Sequence, residues 1–385
     1  MLKFPKIPLS LNGVNYLIFI VLINSIGASM LVPIFPLYIK SLVSNNNALV
    51  GYVSAFIAAL LIFYTLICTK LFFKFKKLNL LRWGFFGLGI TQFIFILLVD
   101  IKQFLILEVF RTFFLVATYL TLGLFVREYT PTNSMGKAEG RYFTISNVGF
   151  LLGPLIGGLL ASAYSFNTVF IVSAIPLLVI TTLLLFIPLK ETITNHKHKL
   201  SLLDYFKNKD LILIYFLSMG LFAWWSVLYT YLPLYADTFG FSAKIIGYSL
   251  FGAAIPLIFL EIPLGRLADR NGFRKYISLG FLIIGIFLAL TYLVKPIYVI
   301  ILITLATIGA AFIEPLLEAY FFKQVKTKEN EHNLYPVYKT ASHLSNIIAP
   351  IIFSTILIYF NFKGVFLFAA LIMFGFMLLA MKLKK

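Results

Sequence analysis

Four ionisable residues stand where hydrocarbon surroundings make charge expensive. Glu108 and Arg111 lie three apart in one apolar run, and Glu314 and Glu318 lie four apart in another, flanking Pro315. A charge at the centre of a membrane span costs roughly 2.5 kcal/mol or more, so such residues mark functional sites by default. Helical spacing puts each pair on one face. Glu108 and Arg111 can therefore neutralise each other, either as a structural pair or as part of a substrate contact. Removing a lone carboxylate from water favours its protonated form, which is what a proton carrier near neutral pH needs. Glu314 reads as a proton carrier or cation-binding group, the plainer alternative being a hydrogen bond to backbone freed at Pro315. Glu318 lies closer to the helix end and reads as partly solvated.

Weaker candidates surround these. Asn24, Asn147, His343 and Asn346 are single polar residues at mid-depth, for which hydrogen bonding between helices is the default; His343 could also titrate near neutrality. Trp224, Trp225, Tyr229 and Tyr231 share one run and serve packing, or hold an apolar or cationic ligand by stacking. Glu261 falls one turn inside the end of its run and is expected to be solvated or to pair with Arg266 or Arg270. His196-x-His198 has no acidic or cysteine partner at metal spacing, so no metal site is expected. The lone Cys68 can form no intrachain disulfide.

The elements that must position these residues follow from composition. Of the 385 residues, 61% are hydrophobic and only 12% charged, where a soluble domain has roughly 25% charged. Apolar stretches of membrane-spanning length recur throughout. Reading between charged or turn-rich breaks predicts twelve helices, at about 12–39, 48–73, 80–99, 103–127, 140–163, 167–189, 210–236, 244–265, 275–294, 297–322, 335–359 and 363–381. The fold class is thus an all-α membrane protein. The first run is too long for a signal-peptide core and is kept as a span.

Cations sort by side. Alternate loops and both tails hold 26 of the lysines and arginines, and the intervening loops hold five. The positive-inside rule then places both termini in the cytoplasm of a cell with this protein in its cytoplasmic membrane. The net charge of +18 faces anionic lipid headgroups and not nucleic acid.

The longest break, 190–209, separates an N-terminal six-helix bundle (1–189) from a C-terminal one (210–385). The halves are related: Tyr142/Tyr338, Thr144/Thr340, Ser146/Ser342 and Pro154/Pro350 match at an offset of 196, and Pro36-Leu37-Tyr38 matches Pro233-Leu234-Tyr235 at 197. Two pseudo-symmetric six-helix bundles are a transporter architecture.

Residues 265–275 read Gly-Arg-Leu-Ala-Asp-Arg-Asn-Gly-Phe-Arg-Lys, with Gly265 and Gly272 where a tight turn between spans is expected. In the run 140–163, Gly149, Gly153 and Gly157 recur every four residues, a stripe that lets two membrane helices approach closely. Pro154 interrupts the backbone ladder beside it. Together these segments resemble the major facilitator superfamily over essentially the whole chain. The 265–275 segment is similar to the family's cytoplasmic loop, G-x-L-A-D-R-x-G-x-R-K. Gly149-x-x-x-Gly153-Pro154-x-x-Gly157-Gly158 matches its antiporter motif in full, Arg111 falls where the family's motif carries a buried arginine, and Pro33-x-x-Pro36 resembles a helix-1 element common in drug-efflux members. The family's stronger loop copy usually lies between helices 2 and 3. Here the first-half copy at 69–74 has lost the counterparts of Gly265 and Asp269.

The resemblance implies alternating access by two bundles. From it comes a cytoplasmic gate of Gly265, Arg266, Asp269, Arg270, Gly272 and Arg274, and the symmetry of the halves puts Arg141, at the start of the fifth span, as the expected partner of Asp269. Energy would come from protons through Glu314, with Glu108, Arg111, Glu318, His343, Asn24, Trp224 and Trp225 as further coupling or substrate candidates. The reading is a secondary active transporter, a proton-coupled antiporter exporting a small organic solute or drug, acting as a monomer without a cofactor. Proton-coupled uptake of a sugar or organic acid is the alternative within the same fold. A membrane-embedded enzyme or sensor is the alternative of another class. Against an enzyme stands the lack of a nucleophile or metal cluster, and against nucleotide-driven work the lack of a phosphate-binding glycine loop.

Overall fold

The computed structural model describes residues 12–71, 75–128, 135–186, 202–325 and 328–384. Among these there is no strand. Apolar backbone in a bilayer must satisfy its own hydrogen bonds, and helices do so locally. The helices are α1 (Asn12–Ser29), α2 (Phe35–Leu42), α3 (Asn47–Leu71), α4 (Lys77–Phe95), α5 (Ile101–Glu128), α6 (Met135–Ala163) and α7 (Phe166–Phe186). A short α8 (Leu202–Lys207) precedes α9 (Lys209–Ser226), a π-helical turn (Val227–Tyr231) and α10 (Leu232–Thr238). Then come α11 (Ala243–Asn271), α12 (Phe273–Leu290), α13 (Pro296–Gln324), α14 (Lys328–Tyr359) and α15 (Phe362–Ala380). Each of the twelve expected spans contains helix, and ten of the described helical segments are long and apolar enough to cross a membrane.

Three of the differences from the expected boundaries bear on the site. The first span, expected as one helix over 12–39, is two. Pro33 has no N–H to donate and its ring crowds the preceding turn. The chain passes 30–34 through i→i+3 bonds such as Val32 N–H to Ser29 and Ile34 N–H to Leu31 before α2 starts with Pro36 in its first turn. The matching Pro233 sits in the first turn of α10, directly after the π-helical turn. The Pro-Leu-Tyr repeat therefore marks a helix irregularity in both halves.

The second difference is at 265–275, where α11 continues to Asn271 and only Gly272 turns the chain, at φ 91° and ψ 142°. Gly265 lies inside the helix with open space where a side chain would go. Leu264 and Ala268, buried one turn apart, keep that stretch packed, and one glycine costs a helix only about 1 kcal/mol. Thirdly, α14 starts at Lys328 and not near 335, about two turns earlier than expected.

The chain forms two compact units, residues 1–44 with 59–195, and 45–58 with 196–385. In the first, Leu17, Leu81, Phe85, Phe125 and Leu184 belong to one buried cluster drawn from α1, α4, α5 and α7. Arg82 donates from Nε (2.9 Å) and Nη2 (2.6 Å) to the Leu184 carbonyl near the end of α7, satisfying an acceptor that the helix leaves open. In the second, α12 packs on α13 and α15, with Gly280 and Gly309 each set against the other's backbone carbonyl. Behind α15, Leu383 is buried and Lys384 donates to the buried Asp210 in the first turn of α9, a hydrogen bond that raises the ammonium pKa.

Candidate functional site

In the first unit, α5 brings Glu108 and Arg111 into a two-pronged ion pair. Arg111 Nε donates to Glu108 Oε1 at 2.6 Å and Nη2 to Oε2 at 3.0 Å, and the Thr112 hydroxyl donates to Oε2 at 3.3 Å. Glu108 is fully buried and Arg111 is 9% exposed. The guanidinium lies 4.9 Å from the centroid of Phe35 and 5.8 Å from that of Phe95, within cation–π range. Phe35, Tyr38, Phe95, Phe104 and Phe170 form a continuous aromatic cluster there, closed by Tyr38 donating to the Phe95 carbonyl. Both carboxylate oxygens and two guanidinium nitrogens are thus engaged, an arrangement that fixes geometry more readily than it releases a proton.

The glycine stripe of α6 faces α1. Carbon atoms added at Gly149, Gly153 and Gly157 would run into Ser25, Ser29 and the Met30 carbonyl respectively. The Ser29 hydroxyl donates to the Gly149 carbonyl at 2.8 Å, and the Ser25 and Ser146 hydroxyls meet at 3.0 Å. Pro154 is accommodated inside a continuous helix, and Gly158 is buried beside it.

In the second unit, α13 carries Glu314 and Glu318 to different surroundings. Glu318 accepts from Lys339 Nζ at 3.2 Å and from the Tyr335 hydroxyl, and Lys339 also lies 4.9 Å from the Tyr335 ring centroid. Glu318 is partly solvated as expected, its side chain 35% exposed, and is in addition paired, because Lys339 and Tyr335 of α14 reach it. Glu314 is half-buried and its carboxyl makes no hydrogen bond or ion pair among the described residues, so the alternative of a bond to backbone freed at Pro315 is not realised. Its charged neighbours within electrostatic reach are Glu261, Lys339 and Glu318. Tyr229 and Tyr338 also feel its charge. Glu261 therefore belongs to the surroundings of Glu314. It makes no ion pair with Arg266 or Arg270 among the described residues, since the longer α11 places it well inside the helix.

Other sequence candidates are placed as follows. Trp224 is fully buried, its indole N–H without a partner among the described residues. Trp225 stacks on Tyr229 with centroids 5.5 Å apart, and Tyr231 donates to the Pro350 carbonyl at 2.8 Å. Asn24, His343 and Asn346 are half-buried and Asn147 exposed, and none of their side chains makes a hydrogen bond among the described residues. Helix-to-helix bonding falls instead to hydroxyls that the sequence reading did not single out. Ser173 donates to Gln92 at 2.7 Å, Ser345 to the Met219 carbonyl at 2.7 Å, and Tyr215 and Thr340 meet at 3.0 Å. Asparagine needs several partners at once, whereas a hydroxyl rotates to suit one carbonyl. At 265–275, Arg266, Asp269 and Arg270 are exposed on the last turns of α11, and Arg274 is half-buried on α12. The Arg141 side chain lies outside the described residues, and with it the expected partner of Asp269; the His196 and His198 pair lies outside them as well.

An all-helical chain with many membrane-length spans, charges inside them and helices broken at matching places defines a polytopic membrane protein of transporter type. The chain belongs to the major facilitator superfamily, whose family description matches residues 17–260 and 251–385. It is 26% identical over 372 residues to "Multidrug resistance protein MdtG" of Escherichia coli O9:H4 (strain HS), covering 89% of this chain and 87% of that protein. It is 24% identical over 380 residues to "Multidrug resistance protein 2" of Bacillus subtilis (strain 168), covering 92% of each. Among solved structures it resembles the nucleoside transporter NupG, with a TM-score of 0.77 at 14% identity over 96% of this chain and 99% of that one, a likeness of fold. The chain is a membrane transporter, and no catalytic family is indicated.

Proposed function

We propose that the protein is a proton-coupled antiporter that exports a small organic solute or drug across the cytoplasmic membrane, with both termini inside, and that Glu314 carries the proton. The observation that carries this is the half-buried carboxyl of Glu314, in an apolar helix and without a hydrogen-bond or ion-pair partner among the described residues. A carboxyl so placed can exchange its proton without first breaking another contact. The direction of transport rests on the likeness to relatives named for multidrug resistance.

The test is transport in proteoliposomes under an imposed pH gradient, over a panel of lipophilic drugs, sugars and organic acids. Extrusion of a drug coupled to proton entry, lost in Glu314→Gln while the variant keeps its thermal stability, is the expected result. Full proton-coupled activity in Glu314→Gln overturns the assignment of the carrier. Sugar or organic-acid accumulation down an inward proton gradient would favour uptake instead.

A further inference from the structure

We propose that Lys339 is a positioning residue for the proton carrier, moving its ammonium from Glu318 towards Glu314 when Glu314 gives up its proton. The inference rests on the reading of Glu314 as the carrier. Glu314 and Glu318 are one turn apart on the same face of α13, a separation of about 5–6 Å at their Cβ atoms. Lys339 contacts Glu318 at 3.2 Å, lies within electrostatic reach of Glu314, and carries its ammonium on a flexible stem with the side chain 45% exposed. Glu318 has a second donor, the Tyr335 hydroxyl, which keeps it hydrogen-bonded when the ammonium leaves.

The charges balance in both states. With Glu314 protonated, Lys339 and Glu318 form a neutral pair. When Glu314 releases its proton to water, the new negative charge draws the ammonium, and Tyr335 holds Glu318. Without such a cation the ionised Glu314 would face two like charges, Glu261 and Glu318, a costly arrangement away from bulk water. The remaining titratable neighbours are Tyr229 and Tyr338 beside Glu314 and His343, which feels the charge of Lys339.

The experiment follows the protonated-carboxyl infrared band of the full chain in liposomes as a function of pH, with the proton itself as probe. Loss of the titrating band in Glu314→Gln identifies it. Lys339→Gln is expected to move its midpoint to higher pH by about 1 unit or more, and Lys339→Arg to restore it, since an opposite charge within contact range shifts a carboxyl by about 1–3 units. Glu318→Gln is expected to move it to lower pH. The Glu318→Gln shift should shrink when Lys339→Gln is already present, because the freed ammonium causes much of it. Unmoved midpoints, or strictly additive shifts, overturn the transfer of Lys339 while leaving Glu314 as carrier. A titrating band that survives Glu314→Gln overturns the carrier reading itself.

Discussion

The two units handle charge inside the membrane in opposite ways. On α5, Glu108 and Arg111 lock each other in a buried, two-pronged pair under aromatic rings. On α13, the salt bridge goes to Glu318, and Glu314 is left without a partner among the described residues. At the 196-residue offset of the internal repeat, Glu314 corresponds to Thr118 and Arg111 to Thr307, both buried threonines. Each unit thus carries charge where the other carries a hydroxyl. A pair closed on itself serves as a fixed strut. An acid without a partner is available to a mobile ion, and the duplicated fold can hold one of each because the charges are not duplicated with it.

The sharpest way to break this comparison is to remove one partner from the strut. Arg111→Met should cost about 3–5 kcal/mol, because Glu108 is left buried and uncompensated. The neutral double variant, Glu108→Gln with Arg111→Met, should recover most of that loss. Thermal unfolding of the detergent-solubilised protein measures both, against a Glu314→Gln variant expected to unfold like the parent. Equal losses for Arg111→Met and Glu314→Gln would erase the distinction between strut and carrier.

Much of this arrangement was legible in the sequence. The i,i+3 spacing of Glu108 and Arg111 was enough for their pairing, and repetition every four residues was enough to place Gly149, Gly153 and Gly157 on one face. Glu318 is partly solvated as its place near the helix end suggests, but its partners, Lys339 and Tyr335, come from α14, and no local spacing links α13 to that helix. The start of α14 at Lys328 was not legible because a short basic break and a helix N-terminus look alike in composition. Glu261 and Arg266 are five residues apart, which suggested a pair, but continuation of α11 past Gly265 carries Glu261 away from the helix end. Local periodicity therefore specified contacts within a helix, and contacts between helices needed the fold.

The helix seams extend the comparison. Positions 149, 153 and 157 of α6 correspond to Ser345, Ala349 and Phe353 of α14, so the glycine seam of one unit is replaced by a hydroxyl, a methyl and a ring in the other. Phe353 is fully buried with its ring edge-on to Tyr231, 5.6 Å away. Gly153→Ala should cost about 1–3 kcal/mol, since its methyl meets Ser29 and the Ile26 carbonyl. The reverse change, Ala349→Gly, should cost only the roughly 0.5–1 kcal/mol of a helical glycine. Melting temperatures of the two variants measure the difference, and equal losses would mean the seams are packed alike.

The smallest effects separate the two glycines of the 265–275 segment. Gly272 holds a φ of 91° between α11 and α12, a region that side-chain-bearing residues rarely occupy. Gly272→Ala should therefore destabilise the turn by about 1 kcal/mol or more. Gly265 has helical geometry and open space around it, so Gly265→Ala should stabilise α11 by about 0.4–1 kcal/mol through the unfolded chain. Opposite signs in a thermal melt would confirm that only one of these glycines turns the backbone. If Gly265→Ala keeps that stability yet slows transport, the demand on Gly265 arises in another conformation of the cycle, where α11 must bend or something must approach it closely. That outcome would move the asymmetry between the units from their resting charges to their motion.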